Sequence, residues 1–220
     1  MPVLRSLEVR ILLGQRQQWG AFIRDVKKVV DKYGSPLRAL QLQFGGPPGT
    51  AIVTATADDW EQLATRTEKV NADPEMQALI ARHSQVSGFP FSDGVEVRVL
   101  EDITAEVGGN RAPIETAPVI QVMSQRVLPG KRAKQLEVIR QIREARAGAG
   151  LQLSNVMQIV LGSANILLIA RPYASLQAWA KDRATPELKS VTDILQRSLT
   201  DGPYVEPIAT RLYTDITSQL

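Results

Sequence analysis

The strongest constraint on the fold of this chain is that it starts twice. The apolar, alternating stretch Pro118 to Arg132, PVIQVMSQRVLPGKR, repeats the pattern of LEVRILLGQRQQWG near the N-terminus. Aligning Gly130 with Gly14 puts Arg126 on Arg10, Val127 on Ile11 and Leu128 on Leu12 at one constant interval. A second correspondence lies downstream: the spacing from Pro74-Glu75 to Asp102-Ile103 matches that from Pro186-Glu187 to Asp215-Ile216 to within one residue. Two matches so far apart imply two copies of one unit. The 220 residues then divide into two domains of roughly 100 residues, each large enough to bury a core.

The periodicity predicts the same elements in each copy. Leu4–Leu13 alternates like a strand, and Gln15–Tyr33 has Trp19, Phe22, Ile23, Val26, Val29 and Val30 at helical spacing before Gly34. Leu37–Phe44 and Thr50–Thr56 alternate again and are joined by GGPPG, as an antiparallel hairpin would be. Asp58 or Asp59 supplies an N-cap for a helix from Trp60 to about Val70, which resumes after Asp73-Pro74-Glu75 and runs to about Gln85. Val95–Glu101 is a fourth strand. The second copy repeats the order, with strand Val119–Leu128, helix Lys131–Ala147, strands Leu151–Leu161 and Asn165–Arg171, a helical region from Ser175 that breaks before Pro186-Glu187 and continues to Leu199, and strand Val205–Tyr213. The intervening Gly- and Pro-containing stretch has no apolar period, so the expected division is 1–105, linker 106–117 and 118–220. A β-α-β-β-α-β sheet with both helices on one side leaves its other face bare, and a second sheet covers it most economically. The expected fold is α+β: two tandem ferredoxin-like units packed sheet to sheet as an intramolecular α/β barrel.

Composition removes several kinds of chemistry. With no cysteine there is no disulfide, thiolate metal site or thiol nucleophile, and with His83 as the one histidine there is no histidine-rich metal site. The N-terminal strand carries Arg5, Glu8 and Arg10 and makes a poor secretory segment; the longest apolar run, Ile159–Ala170, is broken by Gly162, Ser163 and Asn165. A cytoplasmic chain without a membrane span is expected. Residues 1–110 hold 12 Lys and Arg against 14 Asp and Glu, whereas residues 111–220 hold 14 against 9. The excess concentrates on the helix Lys131 to Ala147, where Arg132, Arg140, Arg143 and Arg146 share one side and Leu136, Ile139 and Ile142 another. Without interleaved aromatics this stripe reads as a solvated face. Nucleic acid is not expected as a partner, and a homo-oligomer or an acidic protein is the partner such a helix would fit.

Strand alternation also separates the two faces of each sheet. Leu7, Val9, Ile11 and Leu13 form the face that meets the helices, which leaves Glu8, Arg10 and Leu12 on the other with Glu96, Arg98 and Leu100 of the fourth strand. Glu8, Arg10, Glu96 and Arg98 make a charge-balanced cluster. In the second copy the same positions are Ser124, Arg126, Ala209 and Arg211, so the arginines remain and the acids are gone. Two guanidiniums beside Ser124, Gln158 and Tyr213 call for an anionic ligand, a carboxylate, enolate or phenolate. The expected site therefore comprises Arg126, Arg211 and Tyr213 as chemical groups, with Ser124, Gln158, Arg10 and Arg98 as ligand-binding groups. The competing reading is that the pair reaches solvent or borrows a carboxylate from the first copy, Glu8 or Glu96, across the barrel. Trp60 and Trp179, each early in the helix after a third strand, are expected to pin helix to sheet.

The stretches RVLPGKRAKQLEVIRQI in the second copy and DDWEQL with ADPEMQALI in the first resemble the dimeric α/β-barrel superfamily, of the antibiotic-biosynthesis-monooxygenase and NIPSNAP-like kind, here as a fused tandem. The resemblance implies a small-molecule-binding protein, or a cofactor-independent oxygenase or cyclase, with a pocket between the two sheets. It also implies a haem-binding alternative through His83, since relatives use a helical histidine. The alternative is a non-catalytic interaction module with a filled inter-sheet core. The cofactor-free monooxygenases have aromatic and asparagine-lined pockets; the strand faces here offer only Tyr213 and Asn155. No dinucleotide, P-loop or nucleophile-elbow signature is present.

Overall fold

The computed structural model describes residues 1–83, 90–162, 165–186, 188–200 and 203–220. The chain is α+β and divides into two compact units. The first is Met1–Glu101 with Asp215–Leu220, and the second is Asp102–Thr214. The first unit runs β1 (Val3–Ile11), α1 (Arg16–Lys32), β2 (Leu37–Phe44), β3 (Thr50–Ala57), α2 (Trp60–Ala72), α3 (Pro74–His83) and β4 (Ser92–Asp102). The second runs β5 (Val119–Val127), α4 (Arg132–Gly148), β6 (Asn155–Leu161), β7 (Ile166–Tyr173), α5 (Leu176–Arg183), α6 (Leu188–Thr200) and β8 (Val205–Asp215). The expected helix end at Gln85 and the residue Glu187 lie outside the described residues.

Each sheet is antiparallel and has the ferredoxin-like strand order. In the first, β4 pairs with β1, β1 with β3 and β3 with β2; in the second, β8 pairs with β5, β5 with β7 and β7 with β6. The registers correspond, since Val3 lies opposite Ala57 in one and Val119 opposite Tyr173 in the other. Among the described residues no helix is long and apolar enough to cross a membrane.

Local chemistry sets the boundaries. Asp59 caps α2 by accepting from the Gln62 amide at 2.8 Å, and Ser175 caps α5 by accepting from the Ala178 amide at 3.0 Å. Glycine is required at position 49, where φ is +80° and a Cβ would stand 2.7 Å from the Ile11 carbonyl oxygen. Trp19, Phe22, Ile23, Val29 and Val30 of α1 are buried on the sheet with Val9, Ala39, Ala51 and Val53. In the second unit Leu136 and Ile139 of α4 pack with Val127, Val156, Leu167 and Ile169. Trp60 departs from expectation: it is 40% exposed and donates its indole N–H to Glu101. Leu13, beyond the end of β1, is fully exposed.

A three-residue latch, Asp-Ile-Thr, occurs twice and closes each unit in the same way. In the first unit the Ile216 amide donates to the Ala39 carbonyl at 3.0 Å, the Ala39 amide donates to Thr217 Oγ1 at 2.9 Å, and the Thr217 amide donates to Asp215 Oδ1 at 2.7 Å. In the second unit the Ile103 amide donates to the Val156 carbonyl at 2.9 Å, the Val156 amide to Thr104 Oγ1 at 2.9 Å, and the Thr104 amide to Asp102 Oδ1 at 2.9 Å. Each isoleucine joins the local core, and each aspartate is paired with an arginine, Arg38 for Asp215 and Arg111 for Asp102. The stretch 106–117, expected as a linker, packs on the second unit: Val107 is in its core, and Asn155 holds Ala112 by a reciprocal pair of hydrogen bonds at 2.7 and 2.9 Å.

Candidate functional site

The first unit encloses a cavity of about 300 Å³ between its sheet and its helices, at the low end of the range for small-molecule sites. Its position follows from the alternation of β1 and β3, which sends Arg5, Leu7, Val9, Val53 and Ala55 to the helix side. Trp19, Phe22, Val26 and Val30 of α1 form one wall, and Leu63, Arg66 and Val70 of α2 another. The lining is apolar except for the guanidiniums of Arg5 and Arg66 and a few neutral groups such as Ser35, Thr67 and Asn71. Arg66 donates to the Thr56 carbonyl at 3.1 Å. Among the described residues no carboxylate pairs with either arginine.

The same location in the second unit holds a buried polar network. Helices α1 and α4 are both 17 residues long and place Val30 and Arg146 at equivalent points. The strand registers match Arg5 with Gln121, Ala55 with Arg171 and Ala57 with Tyr173, and the caps Asp59 and Ser175 match Arg66 with Asp182. Arg146, 2% exposed, donates to Asp182 at 2.6 and 2.8 Å and to the Gln152 carbonyl at 2.8 Å. Tyr173 donates its hydroxyl to Asp182 at 2.7 Å, and Arg171 donates to Gln121 at 3.2 Å. Burial, then the neighbouring Arg171 charge, lowers Arg146 from the usual arginine value, while Asp182 opposes the shift. Burial pushes the Tyr173 phenol up. Arg146, Arg171 and Asp182 thus stand where the first unit has the cavity-lining residues Val30, Ala55 and Arg66.

The residues singled out from the sequence are dispersed. In the first unit Arg98 pairs with Glu8 at 3.3 Å and Glu96 at 2.6 Å, whereas Arg10 leaves this group and pairs with Asp93 at 3.7 Å. In the second, Arg126 is exposed and pairs with Glu206 at 3.3 Å. A register shift after Ser124 sets Arg126 opposite Glu206, which supplies the carboxylate that the simple alternation did not place there. Gln158 accepts from Arg132 at 3.0 Å. Arg211 donates to the buried Tyr213 hydroxyl at 3.4 Å, and Ser124 lies opposite Ala209. The structure therefore joins Arg211 to Tyr213, while Arg126 pairs with Glu206 and Gln158 with Arg132.

Along α4, Arg143 and Arg146 are turned inward rather than toward solvent, and Arg143 donates to the Gly108 and Asn110 carbonyls at 3.1 Å. Arg132 pairs with Glu106, and Arg140 with Glu137 and Glu144. His83 stacks edge-on against Phe22 at 5.2 Å and does not line the cavity. Among the described residues there is no cluster of three His, Asp or Glu able to hold a metal ion. Packed in this way, His83 is not presented to the cavity as an axial haem ligand would be. The cavity residues escaped the sequence reading because Val30 and Ala55 look like ordinary core. Aligning the copies over their whole length exposes them, through the pairs Val30/Arg146, Ala55/Arg171 and Ala57/Tyr173.

No protein-family model matches the sequence, and no curated protein matches it. Solved structures do. A protein of Fusobacterium nucleatum assigned as a monooxygenase is 12% identical, with a TM-score of 0.61 over 97% of this chain and 92% of that one. One of Lactobacillus acidophilus with the same assignment is 12% identical, with a TM-score of 0.58 over 96% and 92%. An anthrone oxidase-like protein is 13% identical, with a TM-score of 0.56 over 96% and 91%. Likeness at this identity speaks of fold alone: the chain shares with these structures an α+β fold, here in two ferredoxin-like units.

Proposed function

We propose that the protein binds a small organic molecule in the cavity of its first unit and is an oxygenase- or cyclase-like protein acting on an anionic or enolic ligand. The observation that carries this reading is the cavity itself, with apolar walls and two guanidiniums that no described carboxylate neutralises. Apolar surroundings strengthen charge–charge contacts, so Arg5 and Arg66, both half-buried, favour an enolate or phenolate oxygen over a neutral one. The neighbours assigned as monooxygenases and the anthrone oxidase-like neighbour support the class. In the second unit, Arg211 with Tyr213 remains a subsidiary proposal, resting on their hydrogen bond. The buried polar network in the helix–sheet layer of that unit favours a structural role.

Native mass spectrometry and absorption spectroscopy of the untagged full chain test the reading. A co-purifying organic ligand is expected, and it is expected to be lost in Ala55→Arg, which puts the second unit's side chain into the cavity. Retention of that ligand in a folded Ala55→Arg protein would sink the proposal.

A further inference from the structure

The first-unit cavity is long and narrow, and its two ends differ. Along β1 the helix-facing residues Arg5, Leu7 and Val9 line it in succession, a run of four residue steps that covers about 13 Å. Along α1 it is lined at every turn from Trp19 to Val30, a span of about 16 Å. Spread over that length, the volume of about 300 Å³ leaves a mean cross-section of roughly 20 Å². One extended polymethylene chain has that girth, and a cage of fused rings does not.

The charged groups lie at one end. Arg5 stands opposite Ala55, and Arg66 reaches the neighbouring carbonyl of Thr56. The other end is apolar: Val9 lies opposite Val95, and Phe91, whose carbonyl accepts from the Leu12 amide just past β1, stands 5.0 Å from Phe22. Ile80 and Val95 line this end and are each 42% exposed. Two exposed aliphatic side chains at the mouth offer an apolar chain a surface to cover as it leaves the cavity.

We infer that the cavity is built for a straight-chain acyl compound of medium length, with its anionic or enolic group near Arg5 and Arg66 and its chain running along α1 to Ile80 and Val95. This rests on the proposed ligand-binding role of the cavity and adds the shape and length of the occupant. An extended chain gains about 1.25 Å per carbon–carbon bond, so about ten carbons reach from one end to the other.

Calorimetric titration of the full chain with straight-chain saturated carboxylates from hexanoate to dodecanoate tests the length. Adamantane-1-carboxylate, which has the charge and carbon count of undecanoate in a compact cage, tests the shape. Affinity is expected to rise about threefold per added methylene as far as decanoate and to level off beyond it. Undecanoate is expected to bind at least about tenfold more tightly than the cage. Val95→Asp and Ile80→Asp, at exposed positions, are each expected to weaken decanoate severalfold, while Ile208→Asp, similarly exposed on the last strand of the second unit, is expected to leave the whole series unchanged. Thermal melts and near-ultraviolet circular dichroism establish separately that each variant is folded. Affinity that does not grow with chain length, a cage bound as tightly as undecanoate, or decanoate binding that survives both aspartates in folded proteins overturns the inference. If chain length has no effect but the cage binds and is excluded by Ala55→Arg, the cavity takes ligands and only the chain assignment has failed. If neither chain nor cage binds, the ligand-binding role of the cavity falls as well.

Discussion

Two helices of equal length, α1 and α4, lie on two sheets of equal register, and at one point they differ by a valine and an arginine. Around Arg146 the second unit builds a buried ion pair that ties helix, sheet and following helix into one network. Around Val30 the first unit has small and apolar neighbours and an open cavity. The difference teaches that the layer between sheet and helices in this fold is not committed in advance to packing. One copy places paired charges there, and the other leaves a cleft lined by apolar side chains and two arginines.

The comparison breaks most visibly at Asp182. Asp182→Ala leaves Arg146 buried without its acid, and a loss of about 3–5 kcal/mol is expected in denaturant unfolding. Arg66→Ala at the equivalent point of the first unit is expected to cost about 1 kcal/mol or less, since its one hydrogen bond goes to a carbonyl at the cavity's edge. If the two substitutions cost the same, the contrast between a charge-paired and an open layer is wrong. Placing the second unit's ring in the first, by Ala57→Tyr, should cost about 1–3 kcal/mol through overpacking beside Val3. Thermal melts of the variant check this value.

The latches sharpen the comparison from the other direction, because there the units agree. Thr217→Val and Thr104→Val each strip the acceptor from one strand amide, Ala39 or Val156, and each is expected to cost about 1–3 kcal/mol. Costs that differ by more than the smaller of the two would show that the latches are not equivalent. The smallest effect is on pH dependence. Burial works against ionisation of Asp215, but the Thr217 hydrogen bonds and the Arg38 guanidinium outweigh it and hold the carboxyl below the usual range. A depressed folded-state value stabilises the protein fully above about pH 4 and loses that contribution as pH falls through the lowered value. Asp215→Asn should therefore flatten the acid side of the stability curve below pH 4 and leave its slope near neutrality unchanged.

Much of the fold was legible because its signals are local. Leu37–Phe44 was read to the residue, since alternation marks the strand while Pro36 and Gly45 bracket it. Asp59 as a cap and Pro74 at the start of a new helix follow from equally short-range chemistry. The site was less legible because partners come from far along the chain. Helical periodicity placed Arg146 on a basic stripe, yet its acid, Asp182, lies 36 residues away and draws it inward. Arg126 found Glu206 across a shifted register that alternation alone cannot supply. The cavity was invisible for a different reason: it is defined by side chains that are too small, and a small apolar residue in a sequence looks like packing.

The latch formed by Asp215, Ile216 and Thr217 bears on how the chain is made. The second unit is continuous in sequence, whereas the first needs residues 215–220, which follow the whole of the second. During synthesis from the N-terminus, domains ordinarily fold as they emerge. Here the first sheet emerges early but waits for Ile216 to join Trp19 and Ala39 in its core. The half that leaves the ribosome first is the half completed last, and its apolar core must be kept from other chains until the latch arrives.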